Sequence, residues 1–173
     1  RCLGVKAIDS WDEARHGISA YEMLKNKQFL VNTYLGKPDY WNIKPPLSFL
    51  SVAAGFVLCG YNAVGLRFFS ALFYLLTVIF TGLFARKYSR LASLLTMVFL
   101  CANYFPFKAH LARAGDADSL YLLLFTLSML CMLKVRDNGR WLYACGLFFS
   151  LAFLTKSFHA GMIAAVGGFF LLL

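Results

Sequence analysis

Six apolar runs fill most of the chain after residue 46, and they constrain its fold more than any other feature. They cover residues 47–60, 64–85, 91–107, 118–134, 141–155 and 158–173. A helix that crosses a membrane needs roughly 20 apolar residues, and most of these runs approach that length. The chain is 60% hydrophobic and 14% charged, whereas soluble domains are about 45–50% apolar and about 25% charged. The sequence therefore predicts an all-α integral membrane protein, a polytopic bundle of transmembrane helices.

Basic residues outnumber acidic ones, 17 to 8, and give a net charge of +9. They flank the apolar runs and do not form a stripe, which favours loop anchoring and contact with anionic lipid over nucleic-acid binding. The short basic loops "ARKYSR" (85–90) and "KVRDNGR" (134–140) are predicted to lie in the cytoplasm. Residues 108–118 and 155–159 then fall on the opposite, outer face.

The first apolar run, residues 47–60, is too short to cross and is predicted to lie in or dip into the outer interface. The expected organisation is an extracytoplasmic loop with an interfacial helix (1–46), a juxtamembrane helix (47–60) and a transmembrane helical module (61–173). Every acid except Asp137 then gathers on one face of the membrane. The chain starts at Arg1 and stops inside an apolar run, so we expect a piece of a longer protein that lacks a first span and a C-terminal part.

The stretch "SWDEARHGISAYEMLKNK" (10–27) predicts a helix. Asp12 and Arg15 are three residues apart, so on a helix they share a face and can bind one ligand from two sides. The alternative for these acids is structural, because carboxylates in a first turn complement the helix dipole. Ser10 and Glu13 have the spacing of a capping box, which makes helix capping the main role expected of Glu13.

Three further polar residues lie where apolar runs begin. Lys44 precedes Pro45-Pro46, where it either adds a charge to an anion-binding helix N-terminus or extends to the lipid headgroups as a structural anchor. In "RAGDADS", Asp116 either caps the next helix or contributes to function. Asp118 lies further in, where an unpaired carboxylate is costly and more often functional.

Four other ionisable residues are predicted at the outer face or at membrane depth. Arg67 and Lys156 lie near span ends, where each either serves function or extends its charge to the membrane surface. His110 and His159 are metal-ligand residue types, but their spacing forms no known metal motif.

The order of five motifs resembles a known family. These are "DEARHGISAYEML", "KPPLSFL", "GLRFFSALFYLLTV", "ARAGDADSLYLLLFTL" and "LTKS". Together they resemble the N-terminal half of the polytopic glycosyltransferases that use polyprenyl-phosphate sugars. That group includes the aminoarabinose transferases of lipid A and the protein O-mannosyltransferases, both of the GT-C fold. In "LTKS" the chain departs from the family, which often has Gly-Pro after the lysine.

The resemblance implies an integral membrane glycosyltransferase of the bacterial inner membrane, with its active site facing the periplasm. It would move a sugar from a polyprenyl-phosphate donor to a hydroxyl of a lipid, glycan or protein acceptor, with inversion. Membrane lipid is a further expected partner, and nucleic acid is not. No cofactor is expected with certainty, and a divalent metal is left open.

The resemblance also implies roles for single residues. Asp12 matches the catalytic aspartate that deprotonates the acceptor, and Glu13 is the other member of this catalytic pair. Arg15 and Lys44 match basic residues that hold the lipid phosphate. Asp118 matches a second acidic position that either orients the acceptor or contributes to a metal site. The remaining candidate substrate-binding residues are Arg113, Asp116, Lys156 and His159.

Two other classes of protein fit part of the pattern. A transporter or lipid flippase would line a pathway with charged residues near the bilayer midplane, often within repeats. Here the acids cluster at one face and no repeat is visible, which disfavours that class. A non-catalytic membrane scaffold would keep its charges only for anchoring, and replacing Asp12 would then leave the activity of its pathway intact.

Overall fold

The computed structural model describes residues 3–5, 7–8, 11–42, 44–108 and 111–172. Within them the chain is mainly helical, and the predicted all-α class is confirmed. The helices are α1 (Asp12–Asn26), α2 (Pro46–Cys59), α3 (Ala63–Ala85), α4 (Arg90–Ala102), α5 (Phe105–Lys108), α6 (Asp118–Val135), α7 (Trp141–Lys156) and α8 (Gly161–Leu172). Two short antiparallel strands, β1 (Thr33–Tyr34) and β2 (Lys37–Pro38), follow α1. Ser10, the predicted capping partner of Glu13, and His110 lie outside the described residues.

Helices α3 and α6 form the centre of the bundle. They are 23 and 18 residues long and apolar enough to cross a membrane, and the stretch Trp141–Leu172 meets the same criterion. A 3-10 turn at Ser157–Ala160 divides that stretch into α7 and α8. The division agrees with the two separate runs, 141–155 and 158–173, that the sequence predicts.

Helix α8 turns back along α6. Ile163, near its start, packs with Leu120 and Leu124 near the start of α6. Near its end, the carbonyl of Phe170 accepts a hydrogen bond of 3.1 Å from Nη2 of Arg136, which follows the last residue of α6. The chain therefore reverses direction at the 3-10 turn.

The apolar run 91–107, which the sequence assigns to one membrane crossing, is divided in the structure between α4 and α5. Helix α4 has 13 residues, or about 20 Å, which is short of the roughly 30 Å hydrocarbon core. Its last turn reaches only the middle of α3, where the Tyr74 hydroxyl donates to the Leu100 carbonyl at 2.8 Å. Pro106 has no N–H to donate to the carbonyl of Ala102, so a helix continued through this segment would lack that hydrogen bond. Beyond α4, Phe107 of α5 and Ala112 pack against Tyr74 of α3.

Helix α2 matches the short run that the sequence set apart. Pro46 opens it, a favoured place because a first-turn N–H has no helical partner. Phe49 and Phe56 are buried on its inner face. A side chain at Gly55 would overlap the carbonyl of Gly65 on α3, so glycine permits this close crossing. Helix α2 is thereby held against the start of α3, with Lys44 just before its first turn.

Polar contacts show which segments meet at one end of the bundle. The Glu13 carboxylate accepts from the Gly115 backbone N–H, the Lys44 ammonium donates to Asp116, and Lys156 pairs with the carboxylate of Asp118. The start of α1, the segment before α2, the loop before α6 and the end of α7 therefore share an end, which we call the polar end. The connections 86–89 and 136–140 lie at the other end, the grouping that the charge pattern predicts.

Candidate active site at the polar end

A buried ion pair between Arg67 and Glu13 supports the polar end. Both residues have a relative exposure of 0%. Arg67 Nε and Nη2 donate to the two Glu13 carboxylate oxygens at 2.6 and 2.8 Å, and its guanidinium also donates to the carbonyls of Leu3 and Ala7 at 2.7 and 3.0 Å. The Gly115 N–H donates to Glu13 Oε1 at 3.0 Å. The pair ties together four segments of the chain, and Arg67 does not extend to the membrane surface as the structural alternative would have it.

Lys44 lies between two carboxylates that differ in exposure. Its Nζ is 2.9 Å from Asp116 Oδ1 and 3.7 Å from Asp12 Oδ1. The Asp116 side chain is 4% exposed, whereas that of Asp12 is 41% exposed. Behind them, His16 Nε2 is 3.6 Å from Asp116 Oδ1. Asp12 is therefore the carboxylate of this group that a ligand can reach.

The surroundings shift the pKa values of His16 and Asp116. Burial is the main cause for His16 and lowers its pKa; Asp116 opposes this and Lys44 reinforces it. Burial also acts to raise the pKa of Asp116, but the charge of a protonated His16, together with Lys44 and the Ala117 N–H, outweighs it, so this pKa lies below its ordinary value. At neutral pH the site thus holds an ionised Asp116 beside a neutral His16.

Arg15 is held by a loop carboxylate that the sequence reading did not single out. Its Nε and Nη2 donate to Asp39 Oδ2 and Oδ1 at 3.0 and 2.6 Å, and its guanidinium lies 4.8 Å from the centre of the Tyr34 ring. The hydrogen bonds with Asp39 raise the pKa of Arg15, and those with Arg15 lower the pKa of Asp39. Because Nε and Nη2 both bind Asp39, the orientation of the guanidinium is fixed and Nη1 can bind another partner.

One cavity of about 300 Å³ brings three predicted site residues together. Its lining consists of Trp11, Asp12, Arg15, Trp41, Asn42 and Lys44. The cavity combines an accessible carboxylate with two cations, and two largely exposed tryptophans stand at its edge. This arrangement can hold an anion beside a group that accepts a proton.

The other predicted site residues lie apart from this cavity. Asp118 and Lys156 form an ion pair with each other. Arg113 lines a separate cavity of about 440 Å³ along α3. The His159 side chain is exposed on the 3-10 turn. Among the residues that the structure describes, no three His, Cys, Asp or Glu side chains are grouped to hold a metal ion, so no residue is assigned to a metal.

A model of the dolichyl-phosphate-mannose-protein mannosyltransferase family matches residues 43–173. The chain belongs to this family. The match begins just before Lys44 and includes Asp116 and Asp118, but it leaves out α1. An uncharacterised protein of Aquifex aeolicus (strain VF5) extends the likeness to α1. It is 33% identical over an alignment of 177 residues, gaps included, that covers 99% of this chain.

The fold of this mannosyltransferase-family chain is also found in a solved structure. The crystal structure of ArnT from Cupriavidus metallidurans in the apo state superposes with a TM-score of 0.81 at 22% identity, over 91% of the chain. This confirms the GT-C-like helical bundle. The chain spans about a third of each relative's length, 34% of the Aquifex protein and 30% of ArnT.

Several residues that build the site have only a weak signal in the sequence. The chain has only eight acids, and that scarcity was the available signal for Asp39. His16 is four residues after Asp12, which places the two on one helix face. Trp11 and Trp41 gave no signal, because an exposed tryptophan near a membrane is common at the interface.

Proposed function

We propose that this chain carries the donor site and catalytic base of a membrane glycosyltransferase. The enzyme would transfer a sugar from a polyprenyl phosphate to an acceptor hydroxyl on the extracytoplasmic face. The observation that carries the proposal is the cavity shared by Asp12, Arg15 and Lys44. Family membership supports the reaction class, and the position of the cavity at the end of an apolar bundle suits a donor whose lipid tail stays in the membrane.

The proposed reaction is a displacement at the anomeric carbon. The Asp12 carboxylate takes the proton of the acceptor hydroxyl, whose oxygen forms the new bond to C1. The bond from C1 to the phosphate oxygen breaks, and its electron pair leaves with the lipid phosphate. Lys44 and the free Nη1 of Arg15 stabilise that anion. Attack from the face opposite the phosphate inverts the configuration at C1.

Asp118 and Lys156 belong to the proposal as a second polar pair that faces the same end of the bundle. We assign them, with Arg113 and His159, to contacts with the rest of the donor or the acceptor. Asp116 acts through Lys44, because its buried carboxylate accepts a hydrogen bond from the Lys44 ammonium. In this scheme Glu13 holds Arg67 and does not contact substrate.

Lys44→Ala should weaken donor binding by about 10- to 100-fold, since a charge-assisted hydrogen bond contributes about 1.5–3 kcal/mol. Binding of farnesyl phosphate to the intact protein in detergent measures this. Lys37→Ala, an exposed lysine on β2, is the matched control and should bind as the wild type does. Unchanged affinity in Lys44→Ala would remove this residue from the phosphate site. Equal affinity of the wild type for inorganic phosphate and farnesyl phosphate would argue against a lipid-linked donor.

The proposed orientation places residues 1–46, 108–117 and 155–159 outside and residues 86–90 and 135–140 in the cytoplasm. In a background without native cysteines, Lys37→Cys should react with an impermeant thiol reagent added to intact cells. Tyr88→Cys, an exposed position at the other end of the bundle, should react only after the membrane is opened. Labelling of both positions from the same side would contradict this topology.

A further inference from the structure

His16 has one ring nitrogen with a partner and one without. The ring is 1% exposed and stacks on Phe49, with ring centres 4.5 Å apart and planes at 14°. Nδ1 is 3.0 Å from the Asp12 carbonyl oxygen, which can only accept, so Nδ1 carries the hydrogen. In the neutral ring Nε2 then carries no hydrogen and can only accept, and it has no hydrogen-bond partner.

The unpartnered Nε2 faces an oxygen that already holds Lys44. Asp116 Oδ1 is 3.6 Å from Nε2 and accepts hydrogen bonds from Lys44 Nζ at 2.9 Å and from the Ala117 N–H at 2.6 Å. A lone pair and a carboxylate oxygen repel each other, so the neutral ring offers Asp116 nothing. A proton on Nε2 would turn the same geometry into a donor that competes with Lys44 for this oxygen.

We propose that His16 is a positioning residue that controls, through Asp116, how firmly Lys44 is held away from the donor phosphate. With a neutral ring, Asp116 keeps the Lys44 ammonium. With a protonated ring, Nε2–H donates to Asp116, and Lys44 is released to the cavity where the phosphate binds. The inference rests on the proposed role of Lys44 in binding that phosphate.

Among the residues that the structure describes, three supply the polar groups that act on His16. Asp12 contributes its carbonyl from the same helix, Asp116 comes from the loop before α6, and Lys44 comes from the segment before α2. From helix α2, the apolar ring of Phe49 stacks on the imidazole. Because burial lowers the pKa of His16, the ring is neutral at pH 7. Lys44 should therefore be released as the pH falls below neutrality.

Farnesyl phosphate binding to the intact protein between pH 7.5 and pH 5 tests this, with three variants beside the wild type. His16→Phe keeps the stack on Phe49 but cannot donate at any pH, and His16→Gln can donate an amide N–H to Asp116 at every pH. Ser19→Ala changes another buried polar residue of α1 and is the matched control. Ratios of affinities at each pH cancel the titration of the probe's own phosphate.

The ratio of the wild-type affinity to the His16→Phe affinity should rise about fivefold or more as the pH falls from 7.5 to 5. That is the usual scale of coupling between two sites. His16→Gln should bind more tightly than His16→Phe at pH 7.5 and should show no such rise relative to it. Ser19→Ala should follow the wild type. A flat ratio of wild type to His16→Phe, in a protein where Lys44→Ala weakens binding, would overturn this inference and leave the proposed function standing. No effect of Lys44→Ala would instead contradict the phosphate site itself.

A measurement on the unaltered protein keeps the inference testable if the His16 variants fail to fold. Calorimetry in buffers of different ionisation enthalpy gives the protons exchanged when farnesyl phosphate binds. If binding favours the protonated ring, the wild type should take up more protons near pH 6.5 than Lys44→Ala does, because the titration of the probe's own phosphate contributes to both measurements. Equal proton exchange by the two proteins would contradict the role of His16.

Discussion

Asp12→Asn should lower sugar transfer by about 10²- to 10⁴-fold while leaving donor binding nearly unchanged, because general-base assistance commonly contributes that factor. Asparagine keeps the size of the residue and one acceptor oxygen but removes the basic carboxylate. The assay is transfer from a polyprenyl-phosphate sugar by the intact protein, compared with farnesyl phosphate binding by the same sample.

Asp12 is the best placed of the described carboxylates for this role. Its side chain is 41% exposed and lines the cavity. The other acids nearby are engaged: Glu13 with Arg67, Asp39 with Arg15, and Asp116 with Lys44. A base must reach the acceptor proton, and a carboxylate that is buried in an ion pair does so less readily.

Glu22→Gln is the matched control for Asp12→Asn. Glu22 lies on the same helix and accepts from the Gly36 N–H, away from the cavity, so this variant should keep wild-type transfer. Full activity of Asp12→Asn would remove the residue from the mechanism. Absence of transfer by the wild type with every sugar donor, together with movement of lipid across the membrane, would favour the transporter class.

Arg67→Met should be the most damaging substitution for stability, with a loss of about 3–5 kcal/mol of unfolding free energy. It would leave the Glu13 carboxylate buried without its guanidinium partner, and it would remove the hydrogen bonds to the carbonyls of Leu3 and Ala7. Thermal unfolding in detergent and the yield of folded protein measure the loss.

A double substitution measures how much of the stability loss comes from the ion pair itself. Glu13→Gln with Arg67→Met removes both charges, so its loss should be smaller than the sum of the two single losses. Arg86→Met, at the exposed far end of the same helix, should change stability little. Equal losses in Arg67→Met and Arg86→Met would mean that the buried pair contributes nothing specific.

The buried pair changes what is expected of Glu13→Gln. A capping role alone would make this variant nearly neutral, since glutamine also caps. Because Glu13 accepts from both Arg67 and Gly115, we expect less folded protein, with near-normal transfer per folded molecule. That outcome would separate Glu13 from Asp12, although the two are adjacent in the chain.

Local sequence features were enough for much of the architecture. The apolar runs specified membrane helices, because a lipid-exposed backbone must satisfy its own hydrogen bonds. The shortness of 47–60 set α2 apart, and the basic loops grouped the correct segments at each end. The spacing of Asp12 and Arg15 placed both on one helix face, and both line the same cavity. These are short-range properties, set by helix geometry and by the thickness of the bilayer.

Only the tertiary structure decided which charges meet. Arg67 and Glu13 are 54 residues apart in the chain, and Lys44 and Asp116 are 72 apart. A lone lysine or aspartate at the end of a span carries no sign of its partner, so anchoring and function could not be told apart. The sequence also gave no sign that α4 ends beside the middle of α3, since no charged residue interrupts the run 91–107. Side chains distant in sequence become neighbours only through helix packing. That packing buries Glu13 against Arg67, while the Asp12 side chain remains exposed.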